Sequence, residues 1–405
     1  VFGGLIRQQL PFANRNNTGL LLNALIPPET LAGMQVDTPF SQRTNSVGAF
    51  GSVNWHVTDQ LDLSAGLRYT YEWKDTEVSR QRSGGNPNAS PLALTNNLAP
   101  LGQWLGINLG AVTFNQLLDD SVGGEFERQL AIKEGAISGH AGASWKWSPT
   151  VMNYVTYSRG VKSGGVNLGV TGERVQPTFR PETVDSFELG LKSLWWDERL
   201  LFNVAAYHAL VTDYQALTFD ESSTILANPR LNNLLNVGKV SLTGVDLDLQ
   251  LALPRQWEVR AGISYNRAIT EDFTNAPDED TLENTRDLSG EPLANAPRWS
   301  GNVGVNKQWL LDGGYTAYLA TDYHYRSRFN TTLERSRNAF VEGYGVAGAR
   351  LGLQAKAGWD ASLWVRNVFN EDYIAAIQTL YGVGAYGAFA GEPRFIGGTL
   401  RLIWP

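Results

Sequence analysis

Cysteine is absent from these 405 residues. That excludes a disulfide scaffold and a thiolate metal site, and it suits export through an oxidising compartment. Charge is scarce. Charged residues make up 18% of the chain, against about 25% in soluble domains. The net charge is -7, so the basic footprint of a nucleic-acid binder is missing and no nucleic-acid partner is expected. No uninterrupted apolar run is long enough for a membrane helix. No signal peptide stands at Val1, so the chain reads as a mature product or as a fragment that begins inside a longer protein.

Catalytic chemistry is equally thin. There is no phosphate-binding glycine loop and no hydrolase elbow. The histidines, His56, His140, His208 and His324, are dispersed and none has a ligand at metal spacing. His56, His140 and His324 fall on the polar side of their segments and read as lining of a wet interior. Asp278-Glu279-Asp280 with Glu283 reads as a solvated acidic loop rather than a cation site. The expectation is no enzyme, no metal and no cofactor.

What is present is alternation. In the segment Leu61 to Lys74, the residues Leu61, Leu63, Ala65, Leu67, Tyr69, Tyr71 and Trp73 share one face. Asp62, Ser64, Arg68, Glu72 and Lys74 share the other. Successive side chains of a strand point to opposite faces, so the segment has one apolar and one wet side. The same pattern places Val245, Leu247, Leu249 and Leu251 against Asp246, Asp248 and Gln250. Aromatics gather near strand ends, as at Trp55, Trp73, Trp145, Trp147, Trp195, Trp196, Trp257 and Trp309. That placement suits the interfacial girdles of a membrane barrel.

The segments pair across short turns: 44–57 with 61–80, 136–147 with 151–165, 182–196 with 199–216, 236–253 with 257–270, 297–310 with 315–329, and 344–356 with 359–376. A last strand is predicted at 394–404 and one more at 1–10. The long connections are 11–43, 81–135, 166–181, 217–235, 271–296, 330–343 and 377–393, and all fall at the other end of the pairs. The largest holds an apolar stretch from Leu98 to Leu118, which fits an ordinary surface loop better than a lid folded inward. Sandwiches also alternate, but their strands are about five or six residues long. Longer strands with unequal ends predict an all-β fold: a transmembrane, antiparallel, up-and-down β-barrel with long loops outside and tight turns in the periplasm.

Several motifs follow one another over nearly the whole chain. They are Tyr154-Val155-Thr156-Tyr157-Ser158-Arg159-Gly160-Val161-Lys162-Ser163-Gly164-Gly165, then Pro181-Glu182 leading to Glu188-Leu189-Gly190-Leu191-Lys192. Asn236-Val237-Gly238 follows with Thr243-Gly244, then Asn367-Val368-Phe369-Asn370, and Gly391-Glu392-Pro393-Arg394 precedes the final strand. In kind and order they resemble the motifs of the TonB-dependent outer-membrane receptors, with Val166 standing where that family usually has an aromatic. Gly160, Gly164 and Gly165 permit bends or close strand approach. Glu188 and Lys192 alternate on one face and would project into the lumen. Trp404 resembles the terminal aromatic read by the barrel-assembly machinery, although Pro405 follows it.

The alternation gives about 14 strands, whereas the resemblance implies a 22-stranded wall around a plug. Residues 1–405 are thus expected to be a partial barrel domain, with the N-terminal plug and first strands lying outside it. It also implies a bacterial outer-membrane location in contact with lipid. The implied function is active uptake of a scarce solute, a ferric siderophore above all, powered by the TonB–ExbB–ExbD complex. A passive porin and an outer-membrane lipase or protease are the other readings. The expected ligand-binding set is Arg159, Lys162, Tyr323, Tyr325, Arg326, Arg328 and Tyr381, because cations and aromatics suit an anionic chelate.

Overall fold

In the computed structural model of the protein, the structure describes residues 32–86, 125–168, 177–219, 232–274, 276–277, 285–380 and 385–402. The predicted strand 1–10, the Leu98–Leu118 stretch, the Asp278–Glu283 loop, Tyr381, Trp404 and Pro405 lie outside the described residues. The described part is strand almost throughout. In chain order the strands are β1 (Gln35–Asp37), β2 (Phe40–His56), β3 (Leu61–Ser83), β4 (Phe126–Ser148), β5 (Val151–Lys162), β6 (Gly165–Val166) and β7 (Thr178–Phe179). Next come β8 (Glu182–Trp195), β9 (Leu200–Phe219), β10 (Asn232–Leu253), β11 (Trp257–Asp272), β12 (Ala276–Pro277), β13 (Thr285–Arg286) and β14 (Trp299–Leu311). The last are β15 (Tyr315–Arg326), β16 (Phe329–Asn330), β17 (Phe340–Val341), β18 (Tyr344–Ala355), β19 (Trp359–Arg366), β20 (Ile374–Leu380), β21 (Ala385–Ala390) and β22 (Phe395–Leu402).

One 14-stranded antiparallel sheet forms the wall, in the order β1-β3-β4-β5-β8-β9-β10-β11-β14-β15-β18-β19-β22, with β2 paired to β3. β1 and β2 lie end to end along the same flank of β3, since β1 meets Gln81–Ser83 and β2 meets Asp62–Val78. From β2 onward each wall strand pairs with the next wall strand in sequence, so the meander is up-and-down. The tight turns use left-handed backbone: Trp196, Asp197 and Glu198 have φ of 55°, 54° and 67°, and Arg255 and Gln256 have 61° and 57°.

The ladders confirm the two faces. Leu67, Leu189, Leu351, Leu363 and Leu400 share the apolar face and are 58–68% exposed. An apolar face of this extent is not a surface that water tolerates; it needs lipid. The polar face carries bonded rungs instead. Tyr154 Oη donates to Glu188 Oε1 at 2.6 Å, Lys192 Nζ lies 5.5 Å from the Tyr154 ring centroid, and Ser264 Oγ donates to Asp246 Oδ1 at 2.6 Å.

Glycine serves this wall by letting rings lie flat across the neighbouring strand. A Cβ on Gly190 would meet the Tyr154 ring at 2.2 Å, on Gly352 the Tyr318 ring at 2.3 Å, and on Gly397 the Trp364 ring at 2.4 Å.

Two strand expectations need correction. β3 and β4 run to Ser83 and from Phe126, so much of the described part of the 81–135 connection is strand. The expected strand 359–376 ends at Arg366. Asn367 and Asn370 adopt left-handed φ of 50° and 53°, which breaks the ladder, and Ile374–Leu380 pairs with β21 instead.

The buried core sits at the long-loop rim. Ala216, Phe273, Ala276 and Leu288 form its apolar part, with Tyr214, Val237 and Leu333 packed against it. Asn330, Thr332, Glu334, Ser336 and Thr379 are its buried polar part. The hairpins β12–β13, β16–β17 and β20–β21 belong to this rim. Their segments are tied to one another: Thr331 Oγ1 donates to Ile377 O at 2.6 Å, and Arg286 Nη2 donates to Arg335 O at 2.7 Å.

Candidate functional site

Backbone register decides which expected residues can meet a solute. Arg159 is opposite Gly139, which is opposite Leu67, and Arg159 is also opposite Asp185. It therefore stands on the apolar face. There it forms a two-pronged pair with Asp185, Nε–Oδ1 and Nη2–Oδ2 both 2.7 Å, and Tyr157 Oη donates to the same carboxylate at 2.6 Å. Tyr323 and Tyr325 are likewise opposite Val303 and Gly301, in the rows of Ala261 and Ile263. They join Tyr265 and Trp299, whose rings are 4.8 Å apart, as an aromatic band below the loops. The placement of these three on an apolar wall corrects the expectation of a shared site, because a single residue of register separates the two faces.

Lys162 is on the polar face, opposite Glu182, with its Nζ 3.7 Å from the carboxylate. It opens a network built from the sequence motifs. Lys74 Nζ donates to Ser163 Oγ and to Gly164 O, both at 2.6 Å, and pairs with Glu72 at 2.9 Å. Gly164 N donates to Glu134 Oε2 at 3.1 Å. A Cβ on Gly164 would stand 2.2 Å from Glu134 Oε1 and 2.4 Å from Phe179 O, so the approach requires glycine. Gly160 has nothing within 4 Å of such a Cβ and is not needed for space. Gln215 binds Ser163 O and Arg180 O through its amide and Glu182 Oε2 through its backbone N–H. Asn236 then closes on Arg180 and Asp213. Asn367 does the same work further on, donating to Glu371 O and Glu392 O at 2.9 Å and accepting from Glu371 N at 2.8 Å. The motifs are thus fasteners between loops and wall.

The remaining expected residues, Arg326 and Arg328, lie at the long-loop end of β15 and line two different cavities. Arg326 is on the polar face, in the row of Ser300, Ser264 and Asp246, and opposite Tyr344. Its guanidinium lies 5.4 Å from the Phe329 ring centroid. Arg328 lies 4.2 Å from the Phe340 centroid and pairs with Glu342 at 2.9 Å. Arg267, Arg298, Arg328 and Arg335 line a cavity of 320 Å³ together with Trp299; Arg267 and Trp299 are in the apolar-face rows. Arg335 pairs with Glu291 at 3.2 Å; burial pushes its guanidinium below the ordinary value, and Glu291 opposes that shift. Among the described residues Arg267, Arg298 and Arg326 have no ion pair. A second cavity of 470 Å³ is lined by Arg326, His324, Asp246 and Tyr344. Tyr344 stacks on Tyr373, with centroids 4.3 Å apart and planes at 24°.

Arg298, Phe329, Phe340, Tyr344 and Tyr373 were not expected from sequence. The run Tyr325-Arg326-Ser327-Arg328-Phe329 carries a legible cation–aromatic signal. Arg298 carries none, because its neighbours come from adjacent strands. Among the described residues no group of three His, Asp or Glu side chains could hold a metal ion.

A family model described as TonB dependent receptor-like, beta-barrel, matches residues 7–368. The chain belongs to the TonB-dependent receptor family. It is an outer-membrane β-barrel chain, and its apolar face is the lipid-facing one. The catecholate siderophore receptor Fiu of Escherichia coli (strain K12) is 23% identical over 266 residues, covering 63% of this chain and 31% of that receptor. The pesticin receptor of Yersinia pestis is 22% identical over 369 residues, covering 89% of this chain and 44% of that receptor. Among solved structures, the ferric yersiniabactin uptake receptor FyuA from Yersinia pestis superimposes with a TM-score of 0.67 at 16% identity, over 91% of this chain and 47% of that one. Fiu from E. coli K12 in its closed form gives 0.61 at 17% identity, over 90% and 45%. The chain therefore spans less than half the length of these relatives. As a TonB-dependent receptor wall it places Arg326 and its neighbours at the mouth of the lumen, and Arg159, Tyr323 and Tyr325 against lipid.

Proposed function

We propose that this wall belongs to a receptor that takes up an anionic ferric siderophore across the outer membrane, powered through TonB. The observation that carries the reading is Arg326, on the polar face, without an ion pair among the described residues and beside the Phe329 ring and Tyr344, while Arg298 and Arg328 line a neighbouring cavity with Phe340. Guanidinium groups held beside ring faces suit a planar, electron-rich, anionic chelate. Relatives named for catecholate, pyoverdine and yersiniabactin transport support the substrate class. Family membership favours active uptake over a passive porin. Of the expected set, Lys162, Arg326 and Arg328 are retained as ligand residues, and Arg298 is added. Tyr381 stays a candidate from sequence alone.

On this reading residues 1–405 are one barrel domain of a presumed 22-stranded wall. Its partners are the TonB–ExbB–ExbD complex, outer-membrane lipid and the barrel-assembly machinery. The protein performs no covalent chemistry. The test is growth under iron limitation with the gene deleted. Loss of growth on a ferric catecholate is expected in the deletion strain and equally in a TonB-deficient strain. Growth on every ferric chelate at the parental rate contradicts the proposal.

A further inference from the structure

Arg159 and Arg267 both stand on the lipid face, each two residues past an aromatic ring toward the long loops: Arg159 past Tyr157 on β5, Arg267 past Tyr265 on β11. A charge on the lipid face of a barrel is costly, less so near the interface. Arg159 meets that cost with its own counter-ion, the two-pronged pair with Asp185. Arg267 does not. It is exposed and has no ion pair among the described residues. Its row neighbour Thr243 has its hydroxyl 2.8 Å from His208 Nδ1. Glu271, the next acid along β11, is four residues further, about 13 Å at the usual rise per residue, and accepts from Ser241 Oγ.

Arg267 lines the 320 Å³ cavity together with three other arginines, and no acid lines it. Glu342 and Glu291 pair with Arg328 and Arg335, so the cavity keeps an excess of positive charge at Arg267 and Arg298. Trp299 and Ser327 close its edge: Trp299 N donates to Ser327 Oγ at 2.9 Å and Ser327 N to Trp299 O at 2.8 Å. Trp299 is 48% exposed and shares the apolar row of Tyr265, so the cavity reaches the lipid face there. Arg298, one residue earlier, falls on the other side of the ladder. Tyrosine and tryptophan mark the depth at which a bilayer gives way to headgroups. Arg267 lies about 7 Å beyond that mark at the usual rise per residue, on the side of the long loops and hence of the outer leaflet. Basic pockets at headgroup depth take anionic lipid headgroups.

We propose that Arg267 anchors a lipid-phosphate site on the outside of the barrel. A phosphorylated lipid of the outer leaflet lays a headgroup phosphate against its guanidinium, at the edge of the cavity, and runs its acyl chains down past Trp299 and Tyr265. The lipid gives Arg267 the counter-ion that Asp185 gives Arg159. A guanidinium matches phosphate with paired N–H groups, which an exposed lysine does not. The site rests on the lipid-facing assignment of this face and is independent of the solute that passes through the lumen.

The test uses the purified complete protein in detergent micelles, with a bisphosphorylated lipid A as probe, its dephosphorylated form as control and inorganic phosphate as competitor. Equilibrium binding is measured for the parent, Arg267→Ala and Arg267→Lys. Arg267→Ala is expected to bind the phosphorylated lipid about tenfold more weakly, the loss of one charge-assisted contact. Arg267→Lys recovers part of that loss, because it keeps the charge without the fork. The dephosphorylated lipid binds parent and variants alike, and binding of a ferric tris-catecholate stays within about twofold in Arg267→Ala, since only the lipid contact is removed. Parental affinity for the phosphorylated lipid in Arg267→Ala overturns the site, as does equal binding of both lipids by the parent. Displacement by equimolar inorganic phosphate marks a free-anion site and overturns the lipid assignment. A parallel tenfold loss of chelate binding in Arg267→Ala assigns the cavity to the solute and overturns it too. Equal defects in Arg267→Ala and Arg267→Lys, with a lowered melting point, mark a structural role and have the same consequence.

Discussion

Arg159 and Arg326 are alike in charge and differ in which side of a strand they occupy. Arg159 shares a row with Leu67 and is neutralised by Asp185; Arg326 shares a row with Ser264 and Asp246 and is left free. Arg159→Ala is expected to leave chelate affinity within about twofold, while Arg326→Ala weakens it about tenfold or more, as loss of a charge-assisted bond does. Titration of purified complete protein checks both, and a large loss in Arg159→Ala refutes the assigned faces. Asn367 acts differently. It is buried, and all its polar atoms are used by Glu371 and Glu392. Asn367→Ala leaves those backbone groups unpaired and is expected to cost about 2 kcal/mol. A thermal melt in detergent reads it, and an unchanged midpoint contradicts the fastening role.

Strands were legible because period-2 alternation is a local property. Leu61 to Trp73 shows its face with no knowledge of any other segment. The short turns were legible for the same reason, since Asp197-Glu198 and Pro254-Arg255-Gln256 suit tight chain reversal. The rim hairpins were not. β20 pairs with β21 because Asn367 stops β19 and Thr331 holds Ile377, and both causes are long-range. The motif Lys162-Ser163-Gly164-Gly165 was recognisable by resemblance, but its purpose needed Glu134 and Phe179 beside it. Gly164→Ala forces a Cβ into Phe179 O and is expected to destabilise by about 1–3 kcal/mol, the usual cost of overpacking. Gly160→Ala meets open space and should stay within about 0.5 kcal/mol. Paired melts of the two variants test this; equal losses would show that strand flexibility, not close approach, accounts for these glycines.

At the scale of the whole molecule the wall separates two solvents and keeps its cations on both. The lipid face holds the ion pair Arg159–Asp185. The lumen face holds Arg326 without an ion pair among the described residues. Cations bring an anion to the mouth by the field they sum to, so recognition should fall with ionic strength. The site was half legible: Arg326 and Arg328 came from a local cation–aromatic run, whereas Arg298 became visible only through the neighbours that β11 and the segment after β15 give it. The most direct test of the account is calorimetric titration of the complete protein, parent and Arg298→Ala/Arg326→Ala, with the ferric tris-catecholate and with a neutral ferric hydroxamate. The account predicts that the parent prefers the anion, that salt weakens this binding, and that the double variant loses the preference. Equal parental affinity for the charged and neutral chelates, or an unchanged preference in the double variant, would contradict it.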